Sequence, residues 1–348
     1  MRDRSSSVEL LEALCRAEDL QRDEARGLFA RVIDGEIGDI ELTALLVALK
    51  AKGETPPEIA GAAEALRAGA LPFDCSDLGE VVDTCGTGGD GRGTVNISTA
   101  VALLAAELGL RVAKHGNRSI SSRCGSADVL EACGVAIDAT PEESRRSLEQ
   151  LNICFLLAPQ YHAGVRHAMP VRRALATRTI FNMLGPLVNP ARPEVQLMGV
   201  YDPALCVPVA HTLQLLGCRT ALVVHGSGLD EIALHGSTTA ARLSDGEVSA
   251  LELEPASFGV EPRSIDELRG GDAVHNARWL RELLGGGGEL AHRMAVSVNA
   301  GALLWITGRA ADLRAGYQTA LETLEGGKAA ERLARWAAMS RRTEGADE

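Results

Sequence analysis

Residues 81–99, VVDTCGTGGDGRGTVNIST, constrain the fold more than any other stretch. A short apolar run leads into Gly86, Gly88, Gly89, Gly91 and Gly93, and these lead into a helical start. Without side chains, the glycines let backbone N–H groups converge on an anion, and the helix that follows adds its positive N-terminal end. Asn96, Ser98 and Thr99 bring further donors to that helix start. Such a surface fits a diphosphate. A purely structural turn is the competing explanation, but strand, dense glycines and hydroxyls coincide here. No GK[ST] follows, and the loop is not a dinucleotide GxGxxG of the usual kind, which disfavours ATP and NAD.

The chain around this unit divides in two. Up to about residue 72 it shows only helical spacing: Leu10, Leu11 and Leu14; Ala25, Leu28, Phe29 and Val32; Leu42, Leu45, Leu46 and Leu49. A fourth helix opens on Thr55, Pro56 and Glu58, a capping box with proline in the first turn. Beyond Pro72, apolar runs at 80–84, 111–114, 153–158, 196–200 and 219–225 alternate with helical stretches at 98–108, 128–133, 141–151 and 204–216. That alternation predicts an α/β domain with a mostly parallel sheet and flanking helices. Residues 163–191 interrupt it with a helix and a Pro/Gly/Asn-rich loop. The expected division is therefore a helical domain, 1–72 completed by about 163–191, and an α/β domain, 73–162 with 192–340. Hydrophobic residues make up 46% of the chain but aromatics only 3%, so Ala, Val, Leu and Ile must fill the core. Residues 285–288, all glycine, suggest a flexible surface turn, and 341–348 a frayed end.

Three more segments carry chemistry. Residues 114–126, KHGNRSISSRCGS, follow an apolar run, which places them at a strand end where open α/β sheets bind ligands. Lys114, Arg118 and Arg123 offer positive charge there, and Ser119, Ser121, Ser122 and Ser126 offer hydroxyls to phosphate oxygens. Asp230 and Glu231, in HGSGLDEIAL, sit just past another strand candidate. Mg²⁺ typically takes one or two carboxylates plus substrate oxygens, so an acidic pair beside a diphosphate site is a candidate metal contact. In RTIFNMLGPLVNP, Asn182, Gly185, Pro186 and Asn189 suit a rigid wall between domains. Arg172, just before it, could hold an acceptor carboxylate.

Other classes are disfavoured. The net charge of −12 argues against coating nucleic acid. The eight cysteines form no CxxC pair and read as reduced, mostly buried residues. The histidines make no HExxH or Cys/His cluster, and no GxSxG elbow occurs. With neither a signal-peptide pattern nor a bilayer-length apolar run, the expected location is cytoplasmic.

At these segments the chain resembles the anthranilate phosphoribosyltransferases. The match includes DTCGTGGDGRGTVNIST, VAKHGNRSISSRCGSADVLEACG, VRRALATRTIFNMLGPLVNPA and GLDEIAL, and it extends through the N-terminal helices and a C-terminal GGDAVHNA…VNAGALL stretch. The resemblance implies a nucleoside-phosphorylase-like α/β domain joined to a helical domain that commonly mediates a homodimer through the N-terminal helices. It implies transfer of a phosphoribosyl group from phosphoribosyl diphosphate to anthranilate, with Mg²⁺. By motif, Gly86, Gly89, Asp90, Thr94, Asn96, Ile97, Ser98, Thr99, Lys114, Arg118, Ser119, Ser121, Ser122 and Ser126 correspond to the donor site. Ser98, Asp230 and Glu231 correspond to magnesium contacts. Gly86, His115, Asn117, His162 and Arg172 correspond to the acceptor site, and Lys114, Asn117 and Arg172 to the catalytic positions. YHAGV at 161–165 and ALATR at 174–178 depart from the family's usual YHPAM and ELG, which directs attention to the acceptor pocket. A pyrimidine nucleoside phosphorylase and a non-catalytic nucleic-acid-binding relative are the alternatives.

Overall fold

The computed structural model describes residues 6–119 and 123–340. The expectation for 341–348 lies outside them. Four helices open the chain: α1 (Ser7–Cys15), α2 (Arg22–Ile33), α3 (Asp39–Lys52) and α4 (Pro56–Ala68). Local chemistry sets their starts. The Glu9 N–H donates to Ser6 Oγ at 3.2 Å, and Glu9 Oε2 accepts the Ser6 N–H at 3.2 Å. Glu58 Oε2 accepts the Thr55 N–H at 2.8 Å. The anticipated leucines and Phe29 are buried, Leu11 only partly. A Cβ at Gly61 would lie 2.2 Å from the Arg22 carbonyl oxygen, so glycine allows α2 and α4 to cross closely.

Seven strands form one sheet in the order β3-β2-β1-β4-β5-β6-β7. They are β1 (Val81–Asp83), β2 (Arg111–Gly116), β3 (Ile153–Leu157), β4 (Val195–Gly199), β5 (Thr220–Gly226), β6 (Thr238–Ser244) and β7 (Glu247–Leu253). The first five pair in parallel, as expected, whereas β6 and β7 are antiparallel. The β6–β7 hairpin was not anticipated. Asp245 (φ 53°) and Gly246 (φ 76°) both lie in the left-handed region, the requirement of a two-residue type I′ turn.

The crossover helices include α5 (Ile97–Glu107), α6 (Ser126–Ala132) and α7 (Pro141–Leu151). After β3 come α8 (Ala158–Tyr161), α9 (Met169–Leu175) and α10 (Phe181–Leu187), then α11 (Cys206–Leu215) between β4 and β5. The chain ends in α12 (Ala273–Leu284), α13 (Leu290–Ile306), α14 (Leu313–Glu325) and α15 (Lys328–Ser340). Side chains alternate across the sheet. Val195, Leu197, Leu222 and Val224 join the core under α5 and the C-terminal helices. Met198, Val200, Ala221 and Val223 join a second core shared with α11, α9, α10 and the N-terminal helices. With few aromatics, helices pack through small residues. A Cβ at Gly301 would meet the Tyr317 nitrogen at 2.4 Å. The glycine run at 285–288 is not a free surface turn: a Cβ at Gly286 would meet the Glu325 carbonyl at 2.5 Å, because this turn packs against the end of α14.

In sheet order β1 lies between β2 and β4, so the chain leaves it to one side for β2 and β3 and returns on the other. This is a topological switch point, and the glycine loop leaves the carboxyl end of β1 there.

Candidate active site

Beyond β1 the loop turns on four left-handed glycines, Gly88, Gly89, Gly91 and Gly93, with φ between 65° and 78°. Its two ends are fixed. The Thr87 N–H donates to the Gly199 carbonyl at 2.9 Å, and Thr87 Oγ1 accepts the Tyr201 N–H at 3.1 Å. On the trailing side, the Val95 N–H donates to Leu268 O at 3.0 Å and the Gly270 N–H to Gly93 O at 2.8 Å. Asn96 then stands at the N-cap position of α5.

The acidic pair closes on this loop. Asp230 Oδ2 accepts the Gly88 N–H at 2.7 Å, and Glu231 Oε1 accepts the Ser98 N–H at 3.0 Å. A Cβ at Gly86 would stand 2.9 Å from Asp230 Oδ2, so glycine is required for that approach. Both side chains are half-buried. Burial and the neighbouring Asp90 push the Asp230 carboxyl up to about 7. Glu231 is raised well above its usual range by burial and by Asp230. Crowded carboxylates of this kind favour a cation between them. Among the described residues no three His, Cys, Asp or Glu side chains form a protein-only metal cage. Two carboxylates with the Ser98 hydroxyl beside them suit Mg²⁺, a hard ion that completes its shell with substrate oxygens and water.

Lys114, on β2, is 2% exposed. Its Nζ donates to Ser98 Oγ at 3.3 Å and Thr84 Oγ1 at 3.4 Å. Asp83 shares its burial. Desolvation raises the Asp83 carboxyl to about 6, opposed by the Lys114 charge and by Asn189 Nδ2, which donates to Asp83 Oδ2 at 2.8 Å. The structure thus brings Gly86, Gly89, Asp90, Thr94, Asn96, Ser98, Lys114, Asp230 and Glu231 to one region.

Other expected donor residues fall differently. Ile97 and Thr99 are buried at the start of α5. Arg118, expected to face phosphate, is forked onto Glu131 at 2.7 and 2.8 Å and reaches Asp128 at 3.3 Å. Asp128 also accepts the Ser119 N–H at 2.9 Å and the Gly125 N–H at 2.8 Å, which draws this loop toward the start of α6. Ser126 Oγ donates to the Asn117 carbonyl at 3.3 Å. Asn117 is exposed, its Oδ1 accepting the Arg118 N–H at 2.7 Å. Ser121 and Ser122 lie outside the described residues.

Of the residues expected at the acceptor, His115 and His162 form an edge-to-face pair 5.3 Å apart. His115 Nδ1 lies 2.9 Å from Gly185 O, so the N–H is there and Nε2 keeps a lone pair. Burial holds His115 down at about 3 and lowers His162 as well, so both rings are neutral. Arg172, half-buried on α9, lies over the Phe181 ring at 5.2 Å, and burial lowers its pKa. Among the described residues no carboxylate pairs with it. Residues 178–190 wall this side: Arg178 hydrogen-bonds the Gly89 carbonyl and lies 4.0 Å over the Tyr201 ring, and Asn189 Nδ2 also donates to Ala113 O at 2.8 Å.

Sequence reasoning passed over the supports from the C-terminal helices. Buried Asn299 accepts the Ile232 N–H at 3.0 Å, directly after the acidic pair, and Asn276 Nδ2 donates to Asn96 Oδ1 at 2.8 Å. Both asparagines lie in the C-terminal stretches quoted for the resemblance, which was the only signal available for them.

A glycine-rich anion cradle at a switch point, with an acidic pair and a buried lysine, defines a transferase acting on a diphosphate donor. Two family models agree: the glycosyl transferase family a/b domain matches residues 78–330, and that family's helical bundle domain matches residues 8–70. More narrowly, the chain belongs to the anthranilate phosphoribosyltransferase family. It is 60% identical over 332 residues to the enzyme of that name from Sorangium cellulosum, covering 95% of each chain. The Aeromonas salmonicida enzyme is 52% identical, over 95% of this chain and 98% of its own. Among solved structures, the Thermus thermophilus enzyme superposes with a TM-score of 0.90 at 39% identity, over 95% of this chain and 99% of its own. The Saccharomyces cerevisiae enzyme in complex with PRPP and Mg shares the fold, with a TM-score of 0.86 at 24% identity over 97% and 98% of the two chains.

Proposed function

We infer that the protein transfers the 5-phosphoribosyl group from phosphoribosyl diphosphate to the amine of anthranilate, releasing diphosphate, as a step of tryptophan biosynthesis. The observation that carries it is the meeting of Asp230, Glu231 and Lys114 at the glycine loop. Breaking the ribose C1–O bond leaves positive character on the sugar and extra negative charge on the diphosphate. Lys114 and the N-terminal end of α5 are fixed where that charge grows, so little reorganisation is needed during reaction. Bound Mg²⁺ supplies further neutralisation of the leaving group, and Ser98, Asp230 and Glu231 are the residues that would hold it.

The acceptor is an arylamine, neutral at physiological pH, so alignment outweighs base strength. We assign its carboxylate to Arg172, whose guanidinium has no acidic competitor among the described residues, and its surroundings to Gly86, Asn117 and the neutral pair His115 and His162. Gly89, Asp90, Thr94, Asn96, Ser126 and the main chain at Ile97 and Thr99 are assigned to the donor. Arg118 would have to leave Glu131 to join them.

We also propose that residues 1–72 with 163–191 act as one helical unit, supported by the packing of Phe181 on Phe29 at 5.8 Å. A homodimer through the N-terminal helices is supported by an uncovered stripe on α3, where Ile40 is 89% exposed. Because the donor substrate is a charged soluble metabolite of the cell interior, we place the enzyme in the cytoplasm.

The test is loss of anthranilate fluorescence on adding phosphoribosyl diphosphate and Mg²⁺. Replacing Asp230 and Glu231 together by Ala should lower kcat by about 100-fold or more, the scale for losing a preorganised group at developing charge. Turnover unchanged by that pair of substitutions would refute their role, and no turnover by folded wild-type protein would refute the function.

A further inference from the structure

We propose that Asn276 is a positioning residue for the donor half of the site: it locks the orientation of the Asn96 amide and so ties the glycine loop to the serine-rich loop. The proposal rests on the assignment of Asn96 to the donor site. Asn276 is 1% exposed, in the first turn of α12, remote in sequence from both loops.

An amide side chain has a donor end and an acceptor end, and what fixes it is a partner with only one role. At one end of this chain stands the Gly271 N–H, which can only donate, and it does so to Asn276 Oδ1 at 2.8 Å. The Asn276 Nδ2 end therefore faces Asn96 and donates to its Oδ1 at 2.8 Å. Asn96 Nδ2 in turn donates to the Cys124 carbonyl at 3.1 Å, a group that can only accept. With a main-chain donor at one end and a main-chain acceptor at the other, both amides have a single sense. Each Nδ2 carries a second hydrogen, and that of Asn96 is left for a ligand oxygen. The backbone reinforces this arrangement. A Cβ at Gly270 would lie 2.6 Å from Thr94 O, so the segment leading into α12 lies directly on the trailing half of the glycine loop.

The arrangement predicts an effect on the donor and not on the acceptor. Asn276→Ala should raise KM for phosphoribosyl diphosphate about tenfold, equivalent to ~1.4 kcal/mol, with KM for anthranilate within about twofold of wild type. Because Asn276 acts through Asn96, the double variant Asn96→Ala/Asn276→Ala should be no worse than Asn96→Ala alone, whereas independent roles would multiply. Asn276→Asp, which accepts from Gly271 but cannot donate to Asn96, should reproduce the donor-specific defect, and it decides the matter should the alanine variant fail to fold. Multiplying losses, or equal rises in both KM values, would overturn the positioning role. If Asn96→Ala itself leaves KM for phosphoribosyl diphosphate unchanged, the donor assignment of Asn96 fails first, and the two failures are distinguishable.

Discussion

Charge is kept inside this site by mutual satisfaction. Asp83 at the end of β1 and Lys114 within the adjacent β2 are both buried, and the Lys114 charge lowers the cost of burying the Asp83 carboxylate. The buried histidines are handled in the opposite way, by staying neutral. His115 is held at about 3 by burial, against an unfolded value of 6.5. Between those values the unfolded chain binds a proton there and the folded chain does not, so this ring's contribution to stability is present above pH 6.5 and is lost as pH falls toward 3. Carboxylates with raised values, such as Asp83 at about 6, act with the opposite sign, which makes the comparison with a variant the informative one. The stability of wild type minus that of His115→Gln, from urea titrations at pH 4 to 6, should rise with pH by up to about 1.4 kcal/mol per unit. A difference independent of pH would show that the ring is not held neutral. The family departure at 161–165 also has a cause at this scale. A Cβ at Gly164 would stand 2.8 Å from the Ile33 carbonyl, so the glycine lies in the seam with α2 and allows that close approach.

Helix α4 shows an element fixed by one buried carboxylate. Glu58, 0% exposed, accepts the Thr55 and Leu20 N–H groups at 2.8 and 2.9 Å and pairs with Lys52 at 3.0 Å. Lys52→Met would leave that carboxylate inside without its cation and should cost about 3 kcal/mol, read as a lower urea midpoint at unchanged m-value. A loss below about 0.5 kcal/mol would class the pair with exposed salt bridges. The start of this helix was legible because Thr55, Pro56 and Glu58 are local signals. The five parallel strands were legible because short apolar runs buried on both faces stand out between helices. Strand β6, TTAARLS, is less apolar and lies next to the sheet edge, yet the Asp245-Gly246 turn after it is a strong hairpin signal that was passed over. The site divided in the same way. Glycines, lysine and acidic pair lie in dense local motifs, whereas Asn276 and Asn299 act across long sequence separations and carry no mark of their own. The ion pair of Arg118 was not legible because its partner, Glu131, lies further along the chain on α6.

At the scale of the whole molecule, the N-terminal helices share an apolar core with one face of the sheet, so the helical unit and the sheet stand as one body. The same helices leave apolar side chains uncovered elsewhere. On α3, Ile40 is 89% and Val47 45% exposed, seven residues apart and therefore on one face, and Val8 on α1 is 67% exposed. A second copy of the chain is the occupant proposed above for this surface. Ile40→Glu with Val47→Glu should weaken self-association by at least about 30-fold, roughly 2 kcal/mol, and shift the sedimenting species from two chains to one. Both side chains are solvent-facing within the chain, so far-ultraviolet circular dichroism should not change. All residues assigned to the donor and metal come from a single chain, so the dissociated variant should keep its KM for phosphoribosyl diphosphate. A variant that remained dimeric, or a wild type already monomeric at micromolar concentration, would remove this face from the interface.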